Sequence, residues 1–389
     1  MKRLVIMFLV LCMMLSLFAC GKDDEEANPI IRIGVYEPLS GNNSAGGIKE
    51  MLGIQYAHFK QPTVKIGNQT YDVELVYADI ASNKAQAAEA AQKLIEQEVA
   101  LVLGPYGSEY ALAAAPVFEE YGIAAIGITC TAPSITANYD SYFRVCIQDE
   151  LQGAALANFA DKEVGASTVL CLGQVENEYD QGLIKGFCEA AAELGITTMK
   201  MDFAENCGDF TYYVSALAEN GVDAIFAPCS ARYGKLIVEA MGQLPEAVPI
   251  IGGDLWDDDS MLDAAIGKHF RIYTSAFYAE GGSTSFENGF KEWLETDELA
   301  MTNNGGTDHV SALSVMGYDA YNLALAAISQ AGSPHHADIL AAMPSVSSSG
   351  VSGVIQFDDI GDAVRNSIYI KRADTEIPQW LYVKNQKVN

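Results

Sequence analysis

The stretch Ala100–Thr129, ALVLGPYGSEYALAAAPVFEEYGIAAIGIT, combines three patterns in a fixed order. Ala100–Gly104 is a short apolar run, which is typical of a buried strand, and Ala124–Thr129 is a second run of the same kind. Glu109–Tyr121 between them is rich in alanine and predicts a helix that is kinked or interrupted at Pro116. A strand, a helix and a strand in this order predict a parallel βαβ unit.

The same alternation continues on both sides of this stretch. Further strands are predicted at Ile31–Leu39, Asp72–Asp79, Ser167–Gly173, Thr197–Phe203, Ala224–Pro228 and Val248–Gly252, and further helices around Ile48–Phe59, Lys84–Gln97, Gln181–Leu194, Phe210–Glu219 and Lys235–Met241. Alternation of this length predicts an α/β fold with two doubly wound parallel-sheet lobes. One sheet is expected before about residue 147 and the other after it.

The chain is less regular from Arg271 onward. Strands are predicted at Arg271–Tyr278, Val354–Phe357 and Ser367–Arg372, and a long helix at Val310–Ile328. These strands are too few for a third sheet. We therefore expect this region to complete the two earlier sheets and to cross between the lobes more than once.

The N-terminus has the layout of a bacterial secretory signal. Lys2 and Arg3 form a positive segment, Leu4–Leu17 is almost entirely apolar, and Cys20 directly follows a small residue. The segment resembles the lipobox of lipoproteins, which predicts a signal peptide over residues 1–19, a lipid on the Cys20 thiol and a tether over residues 20–30. The alternatives are an ordinary signal peptide with an incidental cysteine, or a single transmembrane helix, for which the apolar run is short.

Composition favours an exported body. The formal net charge of −28, from 23 basic and 51 acidic residues, argues against nucleic acid and anionic lipid headgroups as partners. After residue 20 no stretch is long and apolar enough to cross a bilayer. The sequence therefore predicts an extracytoplasmic protein that contacts the membrane only through its lipid.

Cysteine and histidine usage indicates no metal site and no disulfide framework. Six cysteines remain after Cys12 and Cys20 and are scattered singly, so buried free thiols are expected, although one or two disulfides stay possible: Cys130, Cys146, Cys171, Cys188, Cys207 and Cys229. There is no CxxC pair, no metal-ligand spacing among the five histidines and no GxGxxG, GxxxxGK[ST], HExxH or GxSxG motif. We expect no cofactor, no metal and no enzymatic activity.

Four polar segments follow predicted strands: Gly104–Ser108, Gly127–Pro133, Asn177–Gly182 and Gly252–Trp256. In doubly wound sheets the carboxyl ends of the strands are the edge where ligands bind. Ser108 also opens a helix, so its hydroxyl and the free N–H groups there could receive a carboxylate. The alternative for Ser108 is a plain helix cap. Asp257–Asp259, just beyond the fourth segment, are expected to form a solvated acidic turn.

These segments carry a family resemblance. Ile33–Gly41, Leu103–Ser108, Thr129–Pro133, Glu178–Gly182 and Gly253–Asp257 resemble, in order and spacing, motifs of the leucine/isoleucine/valine-binding protein family, and Tyr318–Ala320 and Gly353–Asp358 resemble its closing pattern. These proteins are the solute-binding lipoproteins of branched-chain amino acid ABC transporters. The resemblance runs from Ile31 to about Lys384 and implies the type I periplasmic binding protein fold, with two lobes joined by a three-segment hinge.

The resemblance also implies roles for five residues. Ser108 and Thr131 would hold the α-carboxylate of an amino acid, and Thr129 would lie near its α-amino group. Tyr179 would reach across from the second lobe, and Asp254 would pair with the ammonium. Implied lobe boundaries are residues 31–147 with 279–353, and residues 148–278 with 354–389.

Two departures from the family loosen the side-chain pocket. The loop Asn42–Gly47 lacks the aromatic residue that is often found there, and Pro228–Ala231 lacks a frequent tyrosine. The expected function is delivery of an amino acid, branched-chain-like, to an ABC permease. The alternatives are a ligand-sensing lipoprotein, an enzyme, or the same fold with an amide, urea or aromatic acid as ligand.

Overall fold

The computed structural model describes residues 27–388. The predicted signal peptide and the lipidation site Cys20 lie outside the described residues. Within that range no helix has the length and apolar character needed to span a membrane.

The first sheet has the strand order β2-β3-β1-β4-β5-β6. Its strands are β1 Ile30–Glu37, β2 Thr63–Ile66, β3 Gln69–Asp79, β4 Leu101–Leu103, β5 Ala125–Gly127 and β6 Tyr142–Arg144. All neighbours pair in parallel except β2, which is antiparallel to β3. The carboxyl ends of five strands therefore meet at one edge, as the sequence predicted.

The second sheet has the order β15-β14-β11-β10-β9-β7-β8. Its strands are β7 Thr168–Gln174, β8 Thr197–Phe203, β9 Ala224–Phe226, β10 Ile250–Gly252, β11 Ile272–Ala276, β14 Ser367–Ala373 and β15 Trp380–Lys387. The first five are parallel, whereas β14 and β15 are antiparallel additions at one edge. A small hairpin, β12 Ser347–Gly350 and β13 Gly353–Gln356, belongs to neither large sheet.

Helices cover both sheets. Their bounds are α1 Ser44–Lys60, α2 Lys84–Glu96, α3 Ser108–Tyr121, α4 Ser134–Asn138, α5 Asp149–Phe159, α6 Glu178–Leu194, α7 Thr211–Asn220, α8 Ala231–Met241, α9 Asp259–Ala265, α10 Thr284–Thr296, α11 Glu298–Asn303, α12 Ala312–Ala331 and α13 His336–Ala342. A π-helical turn at Ala160–Val164 extends α5, and short 3-10 turns lie at Asp254–Trp256 and Met343–Ser345.

The chain passes between the sheets three times. It leaves the first sheet after β6, returns after β11 so that α12 packs against α1, and enters the second sheet again at β14. Residues from all three crossings, including Ile147, Phe277 and Asn366, line one cavity of about 260 Å³. The fold is thus the expected two-lobe α/β architecture, while the residue boundaries given for the lobes stay a prediction.

Close helix packing on the first lobe depends on two glycines. A Cβ on Gly53 of α1 would lie 1.9 Å from the carbonyl oxygen of Ser314 in α12. A Cβ on Gly317 of α12 would lie 2.2 Å from the carbonyl oxygen of Glu50 in α1. Any larger residue would force the two helices apart. This contact fixes where Glu50 lies.

The structure corrects two sequence expectations. By its spacing Phe59 falls on one helical face with Leu52 and Tyr56, which are buried. Phe59 is nevertheless 63% exposed, because it lies in the last turn of α1 beyond the contact with α12. Asp257 does not belong to a solvated acidic turn. Its carboxylate is buried and forms an ion pair with Lys371 of β14 at 2.7 Å. The sequence does not reveal that this antiparallel strand lies close to Asp257.

Candidate ligand-binding cleft

A cleft of about 630 Å³ lies at the carboxyl ends of the strands, between residues of the two sheets. The first lobe contributes Asn43, Gly46, Tyr106, Ser108 and Thr129 among others, and the second contributes Asn177, Tyr179, Ser230, Tyr233 and Leu255 among others. The expected edge of the sheets therefore lines a cleft that is larger than the cavity of about 260 Å³ beside the three crossings.

Ser108 begins α3 and is nearly fully buried. The cap position is Gly107, which has a φ of 108° that favours glycine, and no side chain caps the helix. The Ser108 hydroxyl oxygen instead accepts a 3.1 Å hydrogen bond from the N–H of Ala132. A hydroxyl that accepts such a bond still has a proton to donate. Ser108 can therefore donate toward the cleft beside the free N–H groups of the first helical turn.

Thr129 and Thr131 follow β5 and are both buried. The Thr129 hydroxyl donates to a carboxylate oxygen of Glu50. The Thr131 carbonyl oxygen accepts a hydrogen bond from the N–H of Asp149, 3.0 Å away, and the Thr131 hydroxyl lies within reach of the Asp149 carboxyl group. Thr129 lines the cleft, whereas Thr131 is buried and does not line it.

Asp254 opens the 3-10 turn that follows β10 and is buried. Its Oδ1 accepts a 2.9 Å bond from the Tyr179 hydroxyl and a 2.7 Å bond from the Gln152 side-chain amide. Its Oδ2 has no partner among the described residues. Burial raises the pKa of Asp254 to about 6, against the hydrogen bonds from Gln152 and Tyr179, so the group is mainly ionised at neutral pH.

The five predicted residues therefore fall into two sets. Ser108, Thr129 and Tyr179 line the cleft directly. Thr131 and Asp254 do not line it, but Asp254 is bonded to Tyr179, and Leu255 beside it does line the cleft. Tyr179 connects Asp254 to the cleft surface.

Two tyrosines from other positions supply aromatic rings beside the two segments that lack the family's aromatic residues. The ring of Tyr106 lies so close to Gly46 that a Cβ there would be 2.3 Å from the ring. Tyr106 therefore supplies an aromatic surface beside the Asn42–Gly47 loop. On the second lobe Tyr233, at the start of α8, lines the cleft near Pro228–Ala231. Tyr106 lies within the Leu103–Ser108 motif, although the resemblance assigned it no role, and Tyr233 lies outside the quoted motifs.

Acidic groups dominate the deeper part of the site. Burial raises the pKa of Glu50 to about 8, that of Asp180 to about 8, and that of Asp149 well above its usual range. The cations in the cleft wall are Lys84, which pairs with Glu109 at 3.1 Å, and Arg232, which is exposed. No group of three His, Cys, Asp or Glu side chains in the described residues is arranged to hold a metal ion.

Sequence reasoning missed Glu50 and Glu37. Glu50 shares a helical face with the buried Ile54 and Ala57, three to four residues apart, which was the available signal. Glu37 ends β1, at the same sheet edge as the predicted site residues. Each lies within a predicted element, and an acidic residue among buried apolar neighbours was the available sign of a buried carboxyl group.

Fold and cleft are those of a two-lobe solute-binding protein, and the comparisons with known proteins agree. The sequence pattern of the family described as periplasmic binding protein matches residues 30–376. The chain belongs to the periplasmic binding protein family, whose members are extracytoplasmic.

Individual relatives refine this assignment. The Leu/Ile/Val-binding protein BraC3 of Rhizobium johnstonii is 25% identical over 323 residues, which cover 81% of this chain and 83% of the relative. The crystal structure of the leucine binding protein LivK of Thermotoga maritima is 30% identical with a TM-score of 0.81, covering 92% of this chain and 99% of that one. The resemblance to Leu/Ile/Val-binding proteins is thereby confirmed, and the chain is a solute-binding protein of the LivJ/LivK type.

More distant structures share the fold with different ligands. LivJ of Streptococcus pneumoniae, in complex with isoleucine, is 21% identical with a TM-score of 0.77, covering 92% of this chain and 99% of that one. A solute-binding protein of R. palustris, in complex with 4-hydroxybenzoate, is 20% identical with the same TM-score, covering 92% and 97%. The fold alone therefore allows both amino acids and aromatic acids.

Proposed function

We propose that this protein is the lipid-anchored, extracytoplasmic ligand receptor of an ABC importer and that it binds an α-amino acid between its lobes. The observation that carries the proposal is the unpartnered Oδ2 of the buried Asp254. A buried carboxylate with a free oxygen needs a cationic or N–H partner, since leaving it unpaired is costly. The α-ammonium group of an amino acid meets this need.

The opposite end of the ligand would bind at the first lobe. Ser108 has a hydroxyl proton to donate, and the first turn of α3 presents N–H groups without intrahelical acceptors. The positive end of the helix dipole adds to the attraction for a carboxylate. Hydrogen-bond donors at the start of α3 and an acceptor at Asp254 are complementary to the two ends of a zwitterion.

Binding of this kind would favour lobe closure. A ligand shifts a conformational equilibrium by its difference in affinity for the two states. Because the proposed contacts come from both lobes, the full set forms only when the lobes are close together, and the closed form would then deliver the ligand to a permease. The lipid on Cys20 would keep the receptor near that permease.

An aromatic acid is the second candidate. Tyr106, Tyr179 and Tyr233 supply aromatic surface to the cleft, and neighbours of the same fold are in complex with benzoates. A benzoate, however, brings no cation for Asp254. A thermal-shift screen of the proteinogenic amino acids against benzoate and 4-hydroxybenzoate separates the two. Stabilisation by amino acids supports the proposal, and stabilisation by the benzoates alone contradicts it.

A further inference from the structure

Two glutamates lie buried directly beneath the floor of the cleft. Glu37 ends β1 and Glu50 is on α1, and neither has any exposed surface. Neither forms an ion pair with a lysine, arginine or histidine in the described part of the chain. Two adjacent buried carboxylates without a cation repel each other and are each costly to desolvate.

Each carboxyl group has one oxygen in use and one without a partner. Oε2 of Glu37 accepts a 2.8 Å bond from the Tyr106 N–H, and Oε1 of Glu50 accepts the Thr129 hydroxyl. Oε1 of Glu37 and Oε2 of Glu50 receive no hydrogen bond from a donor group of the described residues. The two carboxyl groups are nevertheless close enough to form a hydrogen bond with each other if one of them carries a proton. One proton placed between the two groups would satisfy both oxygens and remove one negative charge.

We propose that Glu37 and Glu50 share one proton and act as a positioning pair, which holds the Thr129 hydroxyl with its lone pairs toward the cleft. Thr129 then accepts from an N–H group of the ligand and cannot donate to a ligand oxygen. This role deepens the proposed function and rests on it, because it assigns the polarity of one wall of the same site.

The surroundings of the pair favour the protonated form. Burial first, and then the charge of Glu50, raise the pKa of Glu37 well above its usual range. The hydroxyls of Tyr36 and Tyr142, which bond to each other, lie near Glu37, and the Cys130 thiol interacts with both glutamates. Tyr106 and Asp254 face Glu50, and neither brings a positive charge. The guanidinium of Arg144 interacts with Cys130 but is bound to Asp362.

The shared proton can be measured without any ligand. Infrared spectra of the purified full chain, carrying isotope-labelled glutamate, distinguish the C=O stretch of a protonated glutamic acid from carboxylate bands and from aspartate. At neutral pH we expect a band from protonated glutamic acid. The band should be lost in the double variant Glu37→Gln/Glu50→Gln and should be shifted or lost in each single variant. The surface variant Glu74→Gln, whose carboxylate pairs with Arg32 at 3.0 Å, should leave the band unchanged. A wild type without the band, a band that persists in the double variant, or a band unaffected by one single change would overturn the shared proton.

The positioning role is tested by a double-mutant cycle with L-leucine as the probe in titration calorimetry. Glu50→Met, which cannot accept the Thr129 hydroxyl, and Thr129→Val should each weaken binding about tenfold. The combination should be no weaker than the worse single variant, because both changes remove the same oriented acceptor. Effects that multiply would show that Glu50 does not act through Thr129. If L-leucine failed to bind the wild type, the amino-acid assignment would fail, while the infrared result would still decide the proton pair.

Discussion

The hydroxyl of Tyr179 lies 2.9 Å from Oδ1 of Asp254 and donates a hydrogen bond to it. Tyr179 lies in the first turn of α6, and Asp254 follows β10, so the bond joins two strand-end segments of the second sheet. It leaves Oδ2 of Asp254 without a partner and places the Tyr179 ring at the cleft surface. This pair is the structural basis for assigning a cationic ligand group to the second lobe.

Ser108→Ala should weaken amino-acid binding by about ten- to a hundredfold, the ~1.5–3 kcal/mol expected for one charge-assisted hydrogen bond in a desolvated site. Titration calorimetry measures the loss, and far-UV circular dichroism should be unchanged. Ser134→Ala is a matched control, because this serine begins α4 and does not line the cleft. If Ser108→Ala and the wild type bound the amino acid with equal affinity, the Ser108 hydroxyl would not contact the ligand and would only accept the hydrogen bond from Ala132.

Stability should fall as the pH rises from about 4.5 to 8. Burial raises the pKa of Glu50 and of Asp180 to about 8, so the folded chain keeps protons that the unfolded chain has already released. The free energy of unfolding then decreases with pH, by up to about 1.4 kcal/mol per pH unit for each such proton. Urea unfolding at several pH values measures this slope, and Glu50→Gln should make it shallower. A stability that rises over this range would contradict the assigned protonation.

Cys188 should be the most reactive thiol of the folded protein at neutral pH. The hydrogen bond between the thiols of Cys188 and Cys171, 3.8 Å apart, lowers the pKa of Cys188 to about 6. Cys188 is half-buried, whereas Cys130, Cys146, Cys171 and Cys229 are buried. Brief alkylation followed by peptide mass spectrometry should label Cys188 first. Cys207, also half-buried, is the internal comparison. All six thiols should react after unfolding, and a missing pair would reveal a disulfide.

Membrane attachment should depend on the Cys20 thiol. Cys20→Ser removes the lipid acceptor, so the folded protein should move from the membrane fraction to the soluble extracytoplasmic fraction. Cell fractionation with a high-salt wash measures this shift. Retention of Cys20→Ser in the washed membranes would contradict the lipid anchor.

The sequence predicted the parts of the fold that depend on local pattern. Strand-helix alternation identified most parallel strands, and the strand-end segments contained Ser108, Thr129 and Tyr179, which line the cleft. The antiparallel edge strands β2 and β15 were missed, because β2 has only four residues and the apolar run that opens β15 is largely exposed.

The deeper part of the site depends on tertiary packing, which a local pattern does not encode. Glu50 lies beneath Thr129 because Gly53 and Gly317 let α1 and α12 approach closely. Tyr106 packs against Gly46, because a glycine at this position, distant in sequence, leaves space for the ring. The ion pair of Asp257 with Lys371 likewise requires the returning β14 strand.

The affinity of Asp254→Asn for an α-amino acid tests the central claim most directly. The change keeps the size of the side chain and removes its charge, so we predict a loss of about a hundredfold or more, the ~3 kcal/mol expected when a buried charge pair is broken. Asp263→Asn, an exposed position on α9, is the control and should bind as the wild type does. Titration calorimetry with the strongest amino acid from the screen gives the answer. An unchanged affinity in Asp254→Asn, or a tighter-binding ligand that lacks an amino group, would contradict the assignment of an amino-acid ligand.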